Sequence, residues 1–127
     1  MTRAPRTILA VIVIALLVAI GTVPSKAVQR AGVFDGEWSV FVQPLQVDCG
    51  GAYRYSVRIV GGRVFSPDPS YEARGTVASN GAIRVVVWKG DQSASGSGRL
   101  HRDTGNGRWR SANGECSGQW AAQRRGV

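Results

Sequence analysis

A single histidine, His101, lies between Leu100 and Arg102 beside a glycine-rich stretch, and it limits the chemistry this chain can host. A general base needs a reacting proton within reach and a pKa near the working pH, and an imidazole beside a cation is poorly placed for that. Metal centres need several N, S or carboxylate ligands, whereas the only two cysteines, Cys49 and Cys116, are expected to be consumed by a disulfide. Asp35 and Glu37 are two apart and can share one face of a strand, but acids at a strand entrance beside a polar loop are ordinarily just solvated. No phosphate-cradling glycine loop opens a helix. The residues therefore predict no catalytic group, no metal and no cofactor, and a protein that is not an enzyme.

The aromatic residues carry more. Gly36-Glu37-Trp38, Gly107-Arg108-Trp109 and Gly118-Gln119-Trp120 repeat one local pattern, in which glycine and tryptophan fall on the same side of a strand. Each ring can then lie over a space without a side chain. Trp38, Trp109 and Trp120, with Tyr53 and Tyr55, are the candidate lining of an interior that takes a small apolar or aromatic ligand. The same rings are also large enough to fill that interior as a packed core, and the sequence leaves both readings open. Trp88 falls on the opposite face from Ile83, Val85 and Val87. It is the candidate surface contact, either exposed or covered by the Pro67–Pro69 segment.

What must position these rings is a set of strands. From Gly36 onward the apolar residues recur with period two, and no stretch offers the i, i+3, i+4 spacing of a helix. Pro44 ends the first strand. Tyr53 to Ile59 alternates cleanly, Gly61-Gly62 suits a tight hairpin, and Arg63 to Phe65 begins a return strand that Pro67 and Pro69 interrupt. Tyr71 to Ala78, Ile83 to Trp88 and Ser93 to Leu100 follow, with Asn80-Gly81 read as a hairpin of type I′. Asp103 to Asn106 reads as a turn, Gly107 to Ser111 as a strand, Asn113-Gly114 as a second type I′ hairpin, and Glu115 to Gln123 as the last strand. Gly96 and Gly98 make room for a large neighbour. Eight short strands with local connections predict an all-β antiparallel meander closed into a small barrel, with a two-sheet β-sandwich as the alternative.

The amino terminus stands apart. Arg3 and Arg6 precede an unbroken apolar run of 13 residues, Ile8 to Ile20, and Ser25-Lys26-Ala27 places small residues before Val28. This predicts a signal helix over residues 1–27 with cleavage between Ala27 and Val28, the alternative being an uncleaved anchor. Residues 28–33 read as a short flexible lead-in and 34–125 as one domain. Cleavage takes three of the 16 basic residues and none of the 8 acidic ones, leaving +5. The remaining basic residues are almost all arginine and are scattered, with no nucleic-acid stripe. Such a balance can favour anionic envelope polymers or lipid headgroups, though a solvated barrel exterior is the ordinary reading. Export to an oxidising compartment, periplasmic or secreted, is what lets Cys49 pair with Cys116.

Phe34-Asp35-Gly36-Glu37-Trp38 on the first strand, with Arg124 near the last, resembles the calycin pattern of lipocalins, avidins and bacterial metalloprotease inhibitors, in which a G-x-W packs under a late arginine. Gly96 to Leu100, Gly107 to Trp109 and Cys116 to Ala121 are also similar to stretches of small exported alphaproteobacterial proteins of unknown function. The calycin resemblance implies a barrel with a ligand in its mouth. The leading expectation is thus an exported, non-enzymatic binding module for a small hydrophobic ligand. The alternative is an envelope interaction or inhibitor module that acts on a protein partner through its outer surface. Neither involves nucleic acid, and the membrane would enter only through an uncleaved signal segment.

Overall fold

The structure, a computed structural model, describes residues 32–126 and, before them, Gly21. The expected signal segment, its Ala27–Val28 junction and residues 28–31 lie outside the described residues, while Gly32 and Val33 belong to a 3-10 turn at 32–34.

Eight strands follow: β1 (Gly36–Pro44), β2 (Tyr53–Val60), β3 (Arg63–Phe65), β4 (Glu72–Val77), β5 (Ala82–Lys89), β6 (Gln92–His101), β7 (Thr104–Ser111) and β8 (Ser117–Gly126). Each pairs antiparallel with the next and β8 pairs with β1, so the sheet is a closed barrel and not a sandwich. Closure leaves no free end strand. Alternation decides what goes inside. Trp38, Val57, Ile59, Val64, Ala73, Val77, Ile83, Leu100, Trp120 and Ala122 form the buried interior, joined by Phe34 from the lead-in.

Several turns differ from the sequence reading. Gly61 and Gly62 both have positive φ, as expected. At Asn80-Gly81 and Asn113-Gly114 only the glycines do, so neither turn is type I′. The asparagines work through their side chains instead. Asn80 Oδ1 accepts from the Ala82 amide at 3.0 Å and Asn113 Oδ1 from the Glu115 amide at 3.0 Å, the Asx geometry that a short carboxamide supports without left-handed backbone. The β6–β7 turn lies at Arg102-Asp103, one position earlier than Asp103 to Asn106, because β7 starts at Thr104. Arg102 has φ +56°, alone among the described non-glycine residues. A 3-10 turn at Val47–Cys49 breaks the β1–β2 connection.

The connections sort by end. The β2–β3, β4–β5 and β6–β7 turns share the lower end with the lead-in, and the longer β1–β2, β3–β4 and β7–β8 loops share the upper end. Cys49 and Cys116 are disulfide-bonded with Cα atoms 5.8 Å apart, tying two upper loops together across the β1–β8 seam. The Gln46 carboxamide reinforces the seam, donating to Ser117 Oγ and accepting from the Ser117 amide, both at 2.9 Å. On a chain-entropy basis, closing a loop of 67 residues stabilises by about 4 kcal/mol.

Candidate functional site at the aromatic end of the barrel

The two ends of the interior are built differently. At the lower end Trp38 is 1% exposed and its indole N–H donates to the Phe34 carbonyl at 2.9 Å. The Phe34 ring lies under the β4–β5 turn, where even a methyl on Gly81 would come within 3.3 Å of it. Arg124, from β8, covers the Trp38 ring with its guanidinium carbon 5.2 Å from the centroid. Its nitrogens donate to the carbonyls of Val33 (3.0 Å), Asp35 (2.8 Å) and Arg102 (3.2 Å) and to the Asp103 carboxylate (2.9 Å). The Asp35 carboxylate accepts from the Gly61 amide at 2.8 Å, latching the lead-in to the β2–β3 turn. Two rings, a cation, the lead-in and three turns thus close the bottom.

Midway up, two of the G-x-W motifs are partners. Gly107 pairs with Trp120 and Trp109 with Gly118 across β7 and β8, so each glycine seats the other strand's indole. A Cβ at Gly107 would stand 2.7 Å from Trp120, one at Gly98 2.6 Å from it, and one at Gly118 3.0 Å from Trp109. The room expected in β6 is therefore occupied by Trp120, which is 6% exposed and donates to the Ser97 carbonyl.

At the upper end the inward rings reach solvent. Trp109 and Tyr55 are half-buried, and Tyr53 is 47% exposed. Tyr53 and Tyr55 have centroids 6.4 Å apart, and Tyr71 meets Tyr55 edge-to-face at 5.2 Å. Aromatic pairs favour such tilted and T-shaped contacts. Burial and the neighbouring Tyr53 and Tyr71 hold the Tyr55 phenol above its ordinary pKa.

Tyr71 was not singled out from sequence, and its role explains the wall. β3 pairs with only Arg58 to Val60 of β2, so the upper half of β2 lacks a strand on that side. The Tyr71 hydroxyl fills the gap, donating to the Ser56 carbonyl and accepting from the Ser56 amide at 3.1 Å. One phenol thus does for Ser56 what a neighbouring strand would do. Beside it, β3, β4 and the 66–71 loop enclose a cleft of about 670 Å³, lined by Val64, Phe65, Pro67, Tyr71 and Ala73 among others and by none of the tryptophans.

The candidate residues therefore divide into Trp38 and Trp120, enclosed within the barrel, and Trp109, Tyr55 and Tyr53, which with Tyr71 form its aromatic upper end. Trp88 faces outward and is 38% exposed. Cys49 and Cys116 sit in the upper loops. Phe34 and Tyr71 were not among these candidates: Phe34 precedes β1, and Tyr71, which opens the expected run Tyr71 to Ala78 in phase with Ala73 and Val77, precedes β4. Among the described residues, no three His, Cys, Asp or Glu side chains gather to hold a metal. No family model, curated protein or solved structure matches the chain.

Proposed function

We propose that the protein is an exported, calycin-like binding barrel without enzymatic activity, taking a small neutral, apolar or aromatic molecule at its upper end. The observation that carries this reading is the asymmetry of the interior. One end is closed by Phe34, Trp38 and Arg124, while the other gathers Tyr53, Tyr55, Tyr71 and Trp109 as inward-facing but partly exposed rings. Rings left half wet on the inner side of a barrel keep apolar area to bury against a ligand. Export is supported by the basic start, the apolar run Ile8 to Ile20 and the small residues before Val28. The calycin likeness is supported by the packing of Trp38 beneath Arg124.

Titration of the full chain with N-phenylnaphthylamine, a neutral fluorescent aromatic, tests the reading through probe emission and tryptophan quenching. Saturable binding is expected, with Tyr53→Ala weakening it by about threefold to tenfold, the worth of one aromatic contact. Flat titrations with this probe and with other neutral aromatics would sink the proposal.

A further inference from the structure

The arginines that look scattered in sequence converge in the barrel. Their strands alternate, so every second residue of β3 to β7 points outward. The registers then set Arg63 beside Thr76, Arg84 between Thr76 and Ser97, and Ser97 beside Arg108. One step toward the upper end, Arg58 stands beside Phe65, Phe65 beside Arg74, and Ser95 beside Arg110. Arg99 extends the field toward the lower end, next to Asn106.

These side chains are exposed, and on β3 to β7 the only carboxylate is Glu72, which pairs with Arg74 at 3.0 Å. Among the described residues, Arg58, Arg63, Arg84, Arg99, Arg108 and Arg110 have no ion pair. The other acids lie off these strands: Asp48, Asp68, Asp91 and Glu115 in the upper connections, Asp35 and Asp103 at the lower end, and Glu37 on β1, where it stands beside Arg58 at the edge of the field.

We infer that this outer wall of β3 to β7 binds an acidic polysaccharide, a flexible glycan chain bearing carboxylate or sulfate groups. Charge complementarity sets the sign of the partner, and the rest of the surface sets its class. Thr76 and Ser97 stand between arginines and Ser95, Asn106 and Gln119 beside one each, hydroxyls and amides that both donate and accept and so match sugar hydroxyls. Trp88 and Phe65, 38% and 46% exposed, flank the field toward the upper end as apolar faces on which a sugar ring can stack.

A single-stranded nucleic acid would want aromatic platforms along its whole track, and the row from Arg63 to Gln119 has none while the row above it has only Phe65. A flat bilayer would meet a convex wall along a narrow line and leave most of these arginines out of contact. A flexible chain can follow the curve. Arg84 and Arg108, two strands apart, stand about 10 Å from each other along it, each able to hold an oxyanion in a bidentate fork.

The test uses the full chain with heparin and polygalacturonate as acidic glycans, dextran as a neutral one, phosphatidylglycerol vesicles and oligothymidylate. Both acidic glycans are expected to bind, with affinity falling steeply as salt rises, and dextran is expected not to. Arg84→Gln/Arg108→Gln should weaken glycan binding at least tenfold, and Arg63→Gln/Arg110→Gln should repeat the loss. Arg54→Gln/Arg125→Gln removes the same charge away from this wall and should change binding less than twofold. Melting temperatures of all three double variants, expected to match the parent, show that the fold is intact. Equal losses from all three pairs would reduce the effect to net charge and overturn the proposal. Tighter binding of vesicles or oligothymidylate than of either glycan would overturn it too.

Discussion

Arg124 reaches three carbonyls, one carboxylate and one indole from a single guanidinium. A planar fork with five N–H donors can do this and an ammonium cannot. The ion pair with Asp103, whose side chain is 73% exposed, contributes little by itself. The carbonyl bonds matter more, at about 2 kcal/mol each for a charged donor. Arg124→Lys is therefore expected to lower the melting temperature measurably, with Arg124→Gln worse, and to redden the emission of Trp38 as water enters the lower end.

Gly107 makes a sharper test of packing. Its cross-strand partner Trp120 occupies the space of a side chain, so Gly107→Ala should destabilise by about 1–3 kcal/mol in chemical denaturation. Tyr55 titrates in a sense that can be worked out. Its folded pKa is raised above 10.0, so the fold holds the proton more tightly than the unfolded chain does. Its contribution is intact below pH 10.0 and is lost as the pH rises through the raised folded value. The denaturation midpoint of the parent should fall over that alkaline range, and Tyr55→Phe should fall less.

At the scale of elements, period-two alternation was enough to locate all eight strands, because an interior built from Trp38, Val57, Ile59 and Ile83 demands strict in-and-out order. Turns were less legible. Asn80 and Asn113 look like left-handed positions, but their carboxamides satisfy the turn from ordinary backbone. Arg102, which does adopt positive φ, bears no residue-type signal, since its carbonyl is held by Arg124 from another strand. Tyr71 opens the alternating run Tyr71 to Ala78, but nothing in that alternation shows that its hydroxyl stands in for a strand at Ser56. The arginine wall is written in the sequence only as every second residue of five separate strands, and it becomes a surface once their registers are known.

The disulfide belongs to this scale as well. It ties the β1–β2 and β7–β8 loops at the seam where the meander closes. Reduction, or Cys49→Ser with Cys116→Ser, should lower the melting temperature by more than about 10 °C, given roughly 4 kcal/mol of loop closure and the usual response of a domain this size. A midpoint that reductant leaves unchanged would mean that the β1–β8 ladder closes the barrel unaided.

The whole molecule has a sealed end, an aromatic end whose loops carry acids, and a basic wall between them. The sealed end depends on Arg124 and Trp38, and the proposed function makes the upper end the way into the interior. The most direct measurement of that claim follows the four indole N–H resonances by NMR while N-phenylnaphthylamine is added. Trp109, half-buried on the upper half of β7 and donating to the Gln43 carbonyl at 3.3 Å, should shift progressively to saturation. Trp38, bonded to the Phe34 carbonyl at the sealed end, should stay in place. Trp38 shifting while Trp109 does not, or all four remaining still at saturating probe, would contradict the account.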